Sequence, residues 1–374
     1  MSEKEPIPVN RPVLGGRERE YVLECIESGW ISSEGPFVPR FESAFAERVN
    51  RRHAIAVANG SAALDIAVAA LRLKPGDEVI LPSFTIISCA TAIIRAGATP
   101  VVVDSDPVTL NVTAEQVAAA ITPRTRAVMV VHIYGLPVDM DPILALAARC
   151  DLAVIEDAAE MHGQTYRGRP CGSFGALSTF SFYPNKLVTS GEGGMVLTDD
   201  PELAERCRGL RNLCFDNRRR FVHEELGWNY RLTNLQAALG LAQLEKLDVT
   251  VEKKRRMGRR YTALLADMAR LRLPLDKTEY AENLYWVYPL ILDDSLEMDA
   301  RAAMAALSAR GVGTRPFFWP MHEQPVLRRM GLFDGVSCPV AEGLARRGFY
   351  IPSGVGLTDE ELDRAAAIVR DVIR

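Results

Sequence analysis

The sequence predicts an α/β fold, with a seven-stranded, mostly parallel β-sheet in a large domain and a smaller C-terminal α/β domain after it. Three observations lead to this prediction. Seven short apolar runs lie between residues 53 and 200, helix-forming segments separate most of them, and the pattern changes after about residue 250. A chain of 374 residues is also long enough for about two domains.

The seven predicted strands are rich in apolar and β-branched residues. They are HAIAVAN (53–59), EVILPS (78–83), TPVVVDS (99–105), TRAVMVVH (125–132), LAVIEDAA (152–159), LSTFSF (177–182) and GGMVLTDD (193–200). Apolar strands that alternate with helices are typical of a parallel sheet covered on both faces. The seventh run follows the sixth too closely for a helical crossover, so we expect that pair to be antiparallel.

The chain after the sheet is predicted to form one long helix from about residue 232 to residue 270, because good helix formers dominate it. A strand-like run, NLYWVYPLIL (283–292), a helix-like run (299–311) and a final helix follow. We therefore divide the chain into a large domain with its N-terminal segment, residues 1–249, and a C-terminal domain, residues 250–374.

Composition and charge limit the possible functions. A formal net charge of −4 gives no general attraction to nucleic acid or to an acidic membrane surface, so neither is an expected partner. No uncharged apolar run reaches the roughly 18 residues of a membrane span. The charged, proline-rich start is not typical of a signal peptide. Seven scattered cysteines and five histidines without metal-binding spacing predict neither a disulfide framework nor a metal site. We expect a cytoplasmic protein.

Polar residues follow several predicted strands at the edge where ligands of such sheets bind. Gly60 and Ser61 stand where a helix begins, and free N–H groups there bind phosphate, although Ser61 also fits a plain N-cap. Asp157 ends the fifth strand. It is costly to bury unless a positive group pairs with it, and an exposed position is the alternative. Ser181 ends the sixth strand and could offer its hydroxyl to phosphate.

Lys186 follows this strand end in SFYPNKLVTSGEGG (181–194). A lysine amine is a nucleophile when its surroundings favour the neutral form, and it then forms a Schiff base with an aldehyde. A solvent-facing loop lysine is the alternative for this residue alone. A phosphate, a protonated ring nitrogen and an aldehyde are the three groups by which pyridoxal 5′-phosphate (PLP) is held. The joint pattern therefore predicts a PLP site.

Several stretches resemble motifs of the DegT/DnrJ/EryC1/StrS family of PLP-dependent nucleotide-sugar aminotransferases, and they cover most of the chain. These stretches are ANGSAAL (58–64), GDEVILPSFT (76–85), VIEDAAEMHG (154–163), SFYPNKLVTSGEGG (181–194) and GWNYRLTNLQAALG (227–240). The resemblance implies a type I aminotransferase fold. Residues 27–46 and 314–325 are similar to the family's 4-aminotransferases that use GDP-linked sugars.

The resemblance implies roles for individual residues. Lys186 would carry PLP, Asp157 would pair with the pyridine nitrogen, and Glu160 would lie beside the PLP hydroxyl. The resemblance places three further residues on the phosphate: Gly60, Ser61 and Ser181. Asn229 would reach the phosphate held by the neighbouring subunit, so a homodimer with shared active sites is expected.

Other positions are open to two interpretations. Ile86 stands where the family often has an aromatic residue stacked on the pyridine ring, so stacking there is aliphatic or comes from elsewhere. Trp319 and His322 are candidates for sugar binding, with loop packing as the alternative. Arg219, Arg220 and His223 precede GWNYR, in a loop that in the family approaches the partner's site. Diphosphate recognition and an exposed basic loop are both possible there.

The resemblance implies transfer of an amino group from L-glutamate to C4 of a nucleotide-linked 4-keto-6-deoxy sugar. Use of a dTDP- or UDP-linked sugar, or amination at C3, is an alternative within the same class. A sugar 3-dehydratase of the family is disfavoured, because those enzymes have histidine where this chain has Lys186. A non-catalytic sugar-binding protein with the same fold is the alternative outside that class.

Overall fold

The computed structural model of the protein describes residues 5–215, 219 and 221–374. All seven strands predicted for the large sheet are present, and their ends lie within two residues of the expected ones. The first nine strands are β1 His53–Val57, β2 Glu78–Pro82, β3 Thr99–Val103, β4 Thr125–Val131, β5 Ala153–Asp157, β6 Thr165–Tyr166, β7 Arg169–Pro170, β8 Leu177–Ser181 and β9 Gly194–Thr198. The last four are β10 Leu271–Arg272, β11 Tyr288–Leu292, β12 Arg315–Pro316 and β13 Gly348–Ile351.

Helices cover the strands and connect most of them. In the first part of the chain they are α1 Glu18–Ser28, α2 Phe37–Val49, α3 Gly60–Ala70, α4 Ser88–Arg95, α5 Ala114–Ala120, α6 Met140–Arg149 and α7 Pro201–Arg211. The later helices are α8 Asn234–Leu244, α9 Leu247–Leu265, α10 Ala300–Ala309, α11 Pro325–Arg329, α12 Pro339–Arg347 and α13 Asp359–Val372, with a 3₁₀ turn at Met321–Glu323. Within the described residues, no helix has the length and apolar character needed to cross a membrane.

The large sheet has the strand order β1-β9-β8-β5-β4-β2-β3. β9 is antiparallel to β8, as predicted, and also to β1, whereas the other neighbouring pairs are parallel. The carboxyl ends of β1, β2, β4, β5 and β8 therefore meet at one edge of the sheet. This arrangement brings residues from distant parts of the sequence to a common site.

A four-stranded antiparallel sheet, β10-β11-β13-β12, forms the core of the C-terminal region. Helix α9 joins the two regions. Its early residues Leu247 and Val251 belong to the larger hydrophobic cluster, whereas Met257, Tyr261 and Leu265 belong to the smaller one. The division at residue 249 stays a prediction, and that position lies inside this helix.

The prediction of one helix over residues 232–270 is wrong in detail. Helix α8 ends at Leu244, and α9 begins at Leu247. The two residues between them are tethered to α1: Glu245 accepts a hydrogen bond from Tyr21, and Lys246 forms an ion pair with Glu18. No glycine or proline marks this break, so the tertiary contacts with α1 account for a feature that local propensity misses.

Candidate active site

A cavity of about 530 Å³ opens at the carboxyl edge of the large sheet. Residues at the strand ends form one wall of it, and four residues from the C-terminal region, Trp286, Pro316, Phe318 and Tyr350, form the facing wall. Six of the residues singled out in the sequence for cofactor binding line the first wall: Gly60, Ser61, Asp157, Glu160, Ser181 and Lys186.

One corner of the cavity combines the N-terminus of α3 with the end of β8. The N-cap of α3 is Asn59, whose side chain accepts the N–H of Ala62 at 2.9 Å, so Ser61 is not the cap. The Ser61 hydroxyl instead lies 2.8 Å from that of Ser88. A Cβ on Gly60 would stand 2.7 Å from the Cβ of Ser181, so only glycine permits this close approach. The N-terminus of α3 and the side chains of Ser61 and Ser181 thus lie together, as in a phosphate site.

Asp157 is buried at the end of β5. Its Oδ1 accepts the N–H of Ala159 at 3.1 Å, and the Cys89 thiol donates to Oδ2 at 3.5 Å. Burial raises the pKa of this carboxyl above its ordinary value, despite the lowering effects of the Ala159 N–H and of Lys186. A cationic group bound in the cavity would stabilise its ionised form.

Glu156 alternates to the other face of β5, as the strand period predicts. It is buried there, where it accepts hydrogen bonds from His132 Nε2 at 2.9 Å and from the N–H of Phe174 at 2.8 Å. This carboxylate is satisfied by its own protein. Asp157 is therefore the acid of this strand that faces the cavity.

The Lys186 side chain is only 11% exposed. Its Nζ lies 3.9 Å from Glu160 Oε1 and 4.0 Å from the centre of the Trp286 ring. Burial lowers the pKa of the amine, whereas the Glu160 and Asp157 carboxylates raise it. Burial thus favours the neutral form of the amine, whereas the two neighbouring acids can stabilise its protonated form.

Glu160 is buried beside this amine. Its second oxygen, Oε2, accepts the backbone N–H of Tyr134 at 2.7 Å. Burial raises the pKa of Glu160 to about 7, against the lowering effects of Lys186 and the Tyr134 N–H. Lys186 and Glu160 therefore form a buried pair that can share a proton near neutral pH.

The facing wall is aromatic, and the sequence did not reveal it. The run 283–292 was predicted as a strand, but β11 begins only at Tyr288. Upstream of it the N–H of Leu284 bonds to Gly135 O, and the indole of Trp286 donates to Asn185 O at 3.0 Å. These contacts take the segment out of the small sheet and towards the cavity. Aromatic side chains in an apolar run resemble core residues, so the sequence offered no clear signal.

Ile86 lines the cavity and is 47% exposed. An aliphatic side chain thus occupies the position where the family often has an aromatic one. Tyr134, which also lines the cavity, stacks at 5.6 Å on Phe318. Aromatic side chains of both walls therefore line this site, with Tyr134 on the strand-end side and Phe318 on the facing side.

The two sugar-binding candidates of the loop 316–324 do not line the cavity. His322 is buried, with Nδ1 at 2.7 Å from the Ser83 hydroxyl and Nε2 at 3.0 Å from Glu342, so both ring nitrogens have protein partners. Trp319 is 45% exposed and packs under Arg346. Their neighbour Phe318 lines the cavity instead. The geometry favours loop packing for both candidates.

Arg219, His223 and Asn229 are described by the structure, and they are not among the residues that line this cavity within the one chain. Arg219 pairs with Glu224 at 2.5 Å, and His223 Nδ1 lies 2.8 Å from Leu213 O. Asn229 is exposed and forms a β-bridge with Asn212. Arg220, the remaining candidate, lies outside the described residues.

Comparison with known proteins identifies the group to which this site belongs. A model of the DegT/DnrJ/EryC1/StrS aminotransferase family matches residues 12–370. The chain belongs to this family. It is 43% identical to the GDP-perosamine synthase of Caulobacter vibrioides over 373 residues, which cover 100% of both chains. It is 37% identical to the GDP-perosamine synthase of Vibrio cholerae over 368 residues, which cover 98% of both chains.

The fold also agrees with a solved member of the group. The aminotransferase TlmJ from Streptoalloteichus hindustanus superposes with a TM-score of 0.90 at 32% identity, over 98% of each chain. The chain described here is therefore a PLP-dependent sugar aminotransferase, and it has the expected type I aminotransferase fold.

The cavity fits PLP on structural grounds as well. The Thr179 hydroxyl lies in the cavity wall, opposite Asp157 in the pairing of β5 with β8. Within the described residues this buried hydroxyl has no hydrogen-bond partner. Buried polar atoms are nearly always satisfied, so an unpaired hydroxyl in a cavity wall is a place for a polar ligand atom. A phosphate corner, a buried acid and a buried amine complete the set that PLP requires.

Proposed function

We propose that this aminotransferase moves an amino group from L-glutamate to C4 of a GDP-linked 4-keto-6-deoxy sugar. The observation that carries the chemistry is the placement of the Lys186 amine, the Asp157 carboxylate and the Glu160 carboxylate in one cavity. The likeness to two GDP-perosamine synthases over the whole chain supports the choice of substrate. We place the enzyme in the cytoplasm, which cell fractionation tests.

Lys186 is proposed to carry the cofactor and to move the proton. PLP supplies an aldehyde for attachment and a ring that accepts electrons from the substrate carbon. The freed Lys186 amine takes a proton from that carbon and returns it at the neighbouring position, first as a base and then as an acid. The lowered pKa of this amine favours the first role, and the nearby carboxylates favour the second.

Asp157 is proposed to keep the pyridine nitrogen protonated. Its buried carboxylate is unstable without a cation, and its hydrogen bonds from Ala159 and Cys89 fix its orientation. Glu160 would lie beside the PLP hydroxyl, where its place next to Lys186 allows it to hold a shared proton. Gly60, Ser61 and Ser181 would hold the phosphate at their corner.

A panel of substrates tests the proposal. The purified enzyme is incubated with glutamate and with GDP-, dTDP- and UDP-linked 4-keto-6-deoxy sugars, and the products are followed by mass and by NMR. We expect the GDP-linked sugar derived from mannose to be preferred, with nitrogen at C4. Preference for a dTDP- or UDP-linked sugar, or nitrogen at C3, would replace the substrate and keep the aminotransferase assignment.

The active form is proposed to be a homodimer with shared sites. Asn229 is exposed and absent from the cavity of its own chain, which fits a role at the phosphate held by the partner. Exposed apolar side chains on and after α1, Leu23, Ile26, Trp30 and Ile31, offer a surface that a second copy could cover.

A mixing experiment tests the shared site. Co-expression of differently tagged Lys186→Ala and Asn229→Ala chains allows the mixed dimer to be isolated. One of its two sites then has an intact lysine and an intact asparagine. We expect that dimer to exceed half the activity of the Asn229→Ala homodimer. If it stays at half, each site is built from one chain and the shared-site proposal fails.

A further inference from the structure

Lys254 is a buried lysine to which the proposed mechanism assigns no task. It lies in the middle of α9 and is 3% exposed. Its ammonium donates hydrogen bonds to two backbone carbonyls, that of Trp286 at 2.6 Å and that of Ser353. Burial lowers its pKa to about 7, and among the described residues no charged group contributes to that shift. An ammonium buried with only carbonyl partners is costly, so its position calls for an explanation other than stability.

The carbonyl that Lys254 holds belongs to the residue that contacts the proposed catalytic lysine. The Trp286 ring faces Lys186 Nζ at 4.0 Å, and its Nε1–H donates to the carbonyl of Asn185, the residue before that lysine. One side chain therefore contacts both the amine and the loop that carries it.

The backbone around Trp286 depends on contacts outside a sheet. The residue lies before β11, so no strand ladder fixes it. The preceding residue, Tyr285, has a φ of 53°, which is unfavourable for a residue with a side chain. Besides the contacts of Leu284 and of the Trp286 indole described above, Asn283 Oδ1 accepts the Tyr285 N–H at 2.7 Å, and Lys254 binds the Trp286 carbonyl.

The second carbonyl ties the same segment at its other end. Ser353, whose carbonyl accepts from Lys254, also accepts the N–H of Tyr288 on its hydroxyl at 2.8 Å. Lys254 thus joins α9, the segment 286–288 and the segment at Ser353 through one ammonium group.

We propose that Lys254 is a positioning residue, which holds the Trp286 ring over the Lys186 amine through the Trp286 carbonyl. Without this donor the strained segment relaxes, and the ring moves away from the amine. The inference rests on the proposed role of Lys186. An aromatic face stabilises a nearby cation, so loss of the ring favours the neutral form of the Lys186 nitrogen.

The direction in which the pKa of the Lys186 nitrogen changes separates a positioning role of Lys254 from a purely electrostatic effect of its charge. Loss of the ring face lowers the pKa of the Lys186 nitrogen. Loss of a positive charge at Lys254 would raise it, because a neighbouring cation disfavours a second one. The carboxylates of Glu160 and Asp157 act on the same nitrogen and are unchanged by either substitution.

The test follows the absorption band of holoenzyme-bound PLP as a function of pH, which reports protonation of the Lys186 nitrogen. In Lys254→Met we expect the midpoint to fall by about half a pH unit, the size of a typical cation–π contact. Lys254→Gln keeps N–H donors without charge and should remain close to wild type. Lys253→Met changes the exposed neighbour on the same helix and serves as the matched control.

A double variant shows whether Lys254 acts through the ring. Trp286→Leu should lower the midpoint, and adding Lys254→Met should lower it no further. An unchanged midpoint in Lys254→Met, a rise in it, or full additivity in the double variant would overturn the inference. If Lys254→Met does not fold, Lys254→Gln still provides a test, because a raised midpoint in that variant would also overturn the inference. If wild type shows no lysine-bound band, it is instead the proposed role of Lys186 that fails.

Discussion

The two walls of the cavity differ in origin and in chemistry. The strand-end wall contributes Asp157, Glu160 and Lys186, whose polar groups are buried close together. The facing wall contributes aromatic side chains from the C-terminal region, including Trp286 and Phe318. This difference teaches that the charged chemistry is fixed by the sheet. The shape and the coverage of the site depend on how a second region packs against that sheet.

The largest effect is expected at the lysine of the strand-end wall. Lys186→Ala removes the covalent anchor and the proton carrier together, so we expect turnover to fall by at least about 10⁴-fold. The absorption band of lysine-bound PLP should also disappear, although noncovalent PLP can remain. Lys253→Ala serves as the control for an exposed lysine. Turnover near the wild-type rate in Lys186→Ala would remove this residue from the mechanism.

Asp157→Asn should cost less, on the order of 10²- to 10³-fold in turnover, because an amide keeps the shape and cannot stabilise a cationic ring nitrogen. Burial raises the pKa of Asp157, so its ionised form destabilises the PLP-free protein at neutral pH. The PLP-free variant should therefore unfold at an equal or higher denaturant concentration than wild type. Wild-type turnover in this variant would contradict the assignment to the ring nitrogen.

The same comparison explains what the sequence could predict. Strand periodicity and the rule for carboxyl ends located Asp157 and Ser181, because both depend on local pattern and on parallel topology. Lys186 lies in a loop after the strand, so strand periodicity could not locate it, and its prediction depended on the motif SFYPNKLVTSGEGG (181–194). Trp286 was missed, because an aromatic residue in an apolar run looks like core until the contacts of its backbone are known. For His322 the sequence left sugar binding and loop packing open, since a loop histidine gives no sign that Ser83 and Glu342 bind both ring nitrogens.

Glu160→Gln tests the proton shared across the strand-end wall. Burial raises the pKa of Glu160 from 4.5 to about 7, so the folded protein prefers the protonated acid. The protonated Glu160 side chain contributes fully to the unfolding free energy below about pH 4.5, and this contribution is lost as pH rises to about 7. In the PLP-free protein, the unfolding free energy of wild type should therefore fall relative to the variant over this range.

The size of that fall, on the order of 3 kcal/mol, follows from about 1.4 kcal/mol for each unit of pKa. Urea unfolding at several pH values measures it, and Glu282→Gln, a change at a partly exposed acid, provides the control. Parallel curves for wild type and Glu160→Gln would show that Glu160 has no raised pKa in the folded protein.

The smallest effect is expected on KM, and it distinguishes Phe318 of the facing wall from the exposed Trp319 next to it. Phe318 lines the cavity and packs against Tyr134 and Phe84, whereas Trp319 is 45% exposed outside it. Phe318→Leu keeps an apolar side chain but removes the stacked ring, so we expect the KM for the sugar substrate to rise about 5- to 10-fold, in line with the loss of an aromatic contact. Trp319→Leu makes a similar change one residue later and should leave KM within about twofold, as expected for an exposed site. Steady-state kinetics with both variants decide between the neighbours. A larger rise in KM for Trp319→Leu than for Phe318→Leu would show that the exposed indole reaches the substrate, for instance in the partner's site. The facing wall would then extend beyond the cavity of one chain.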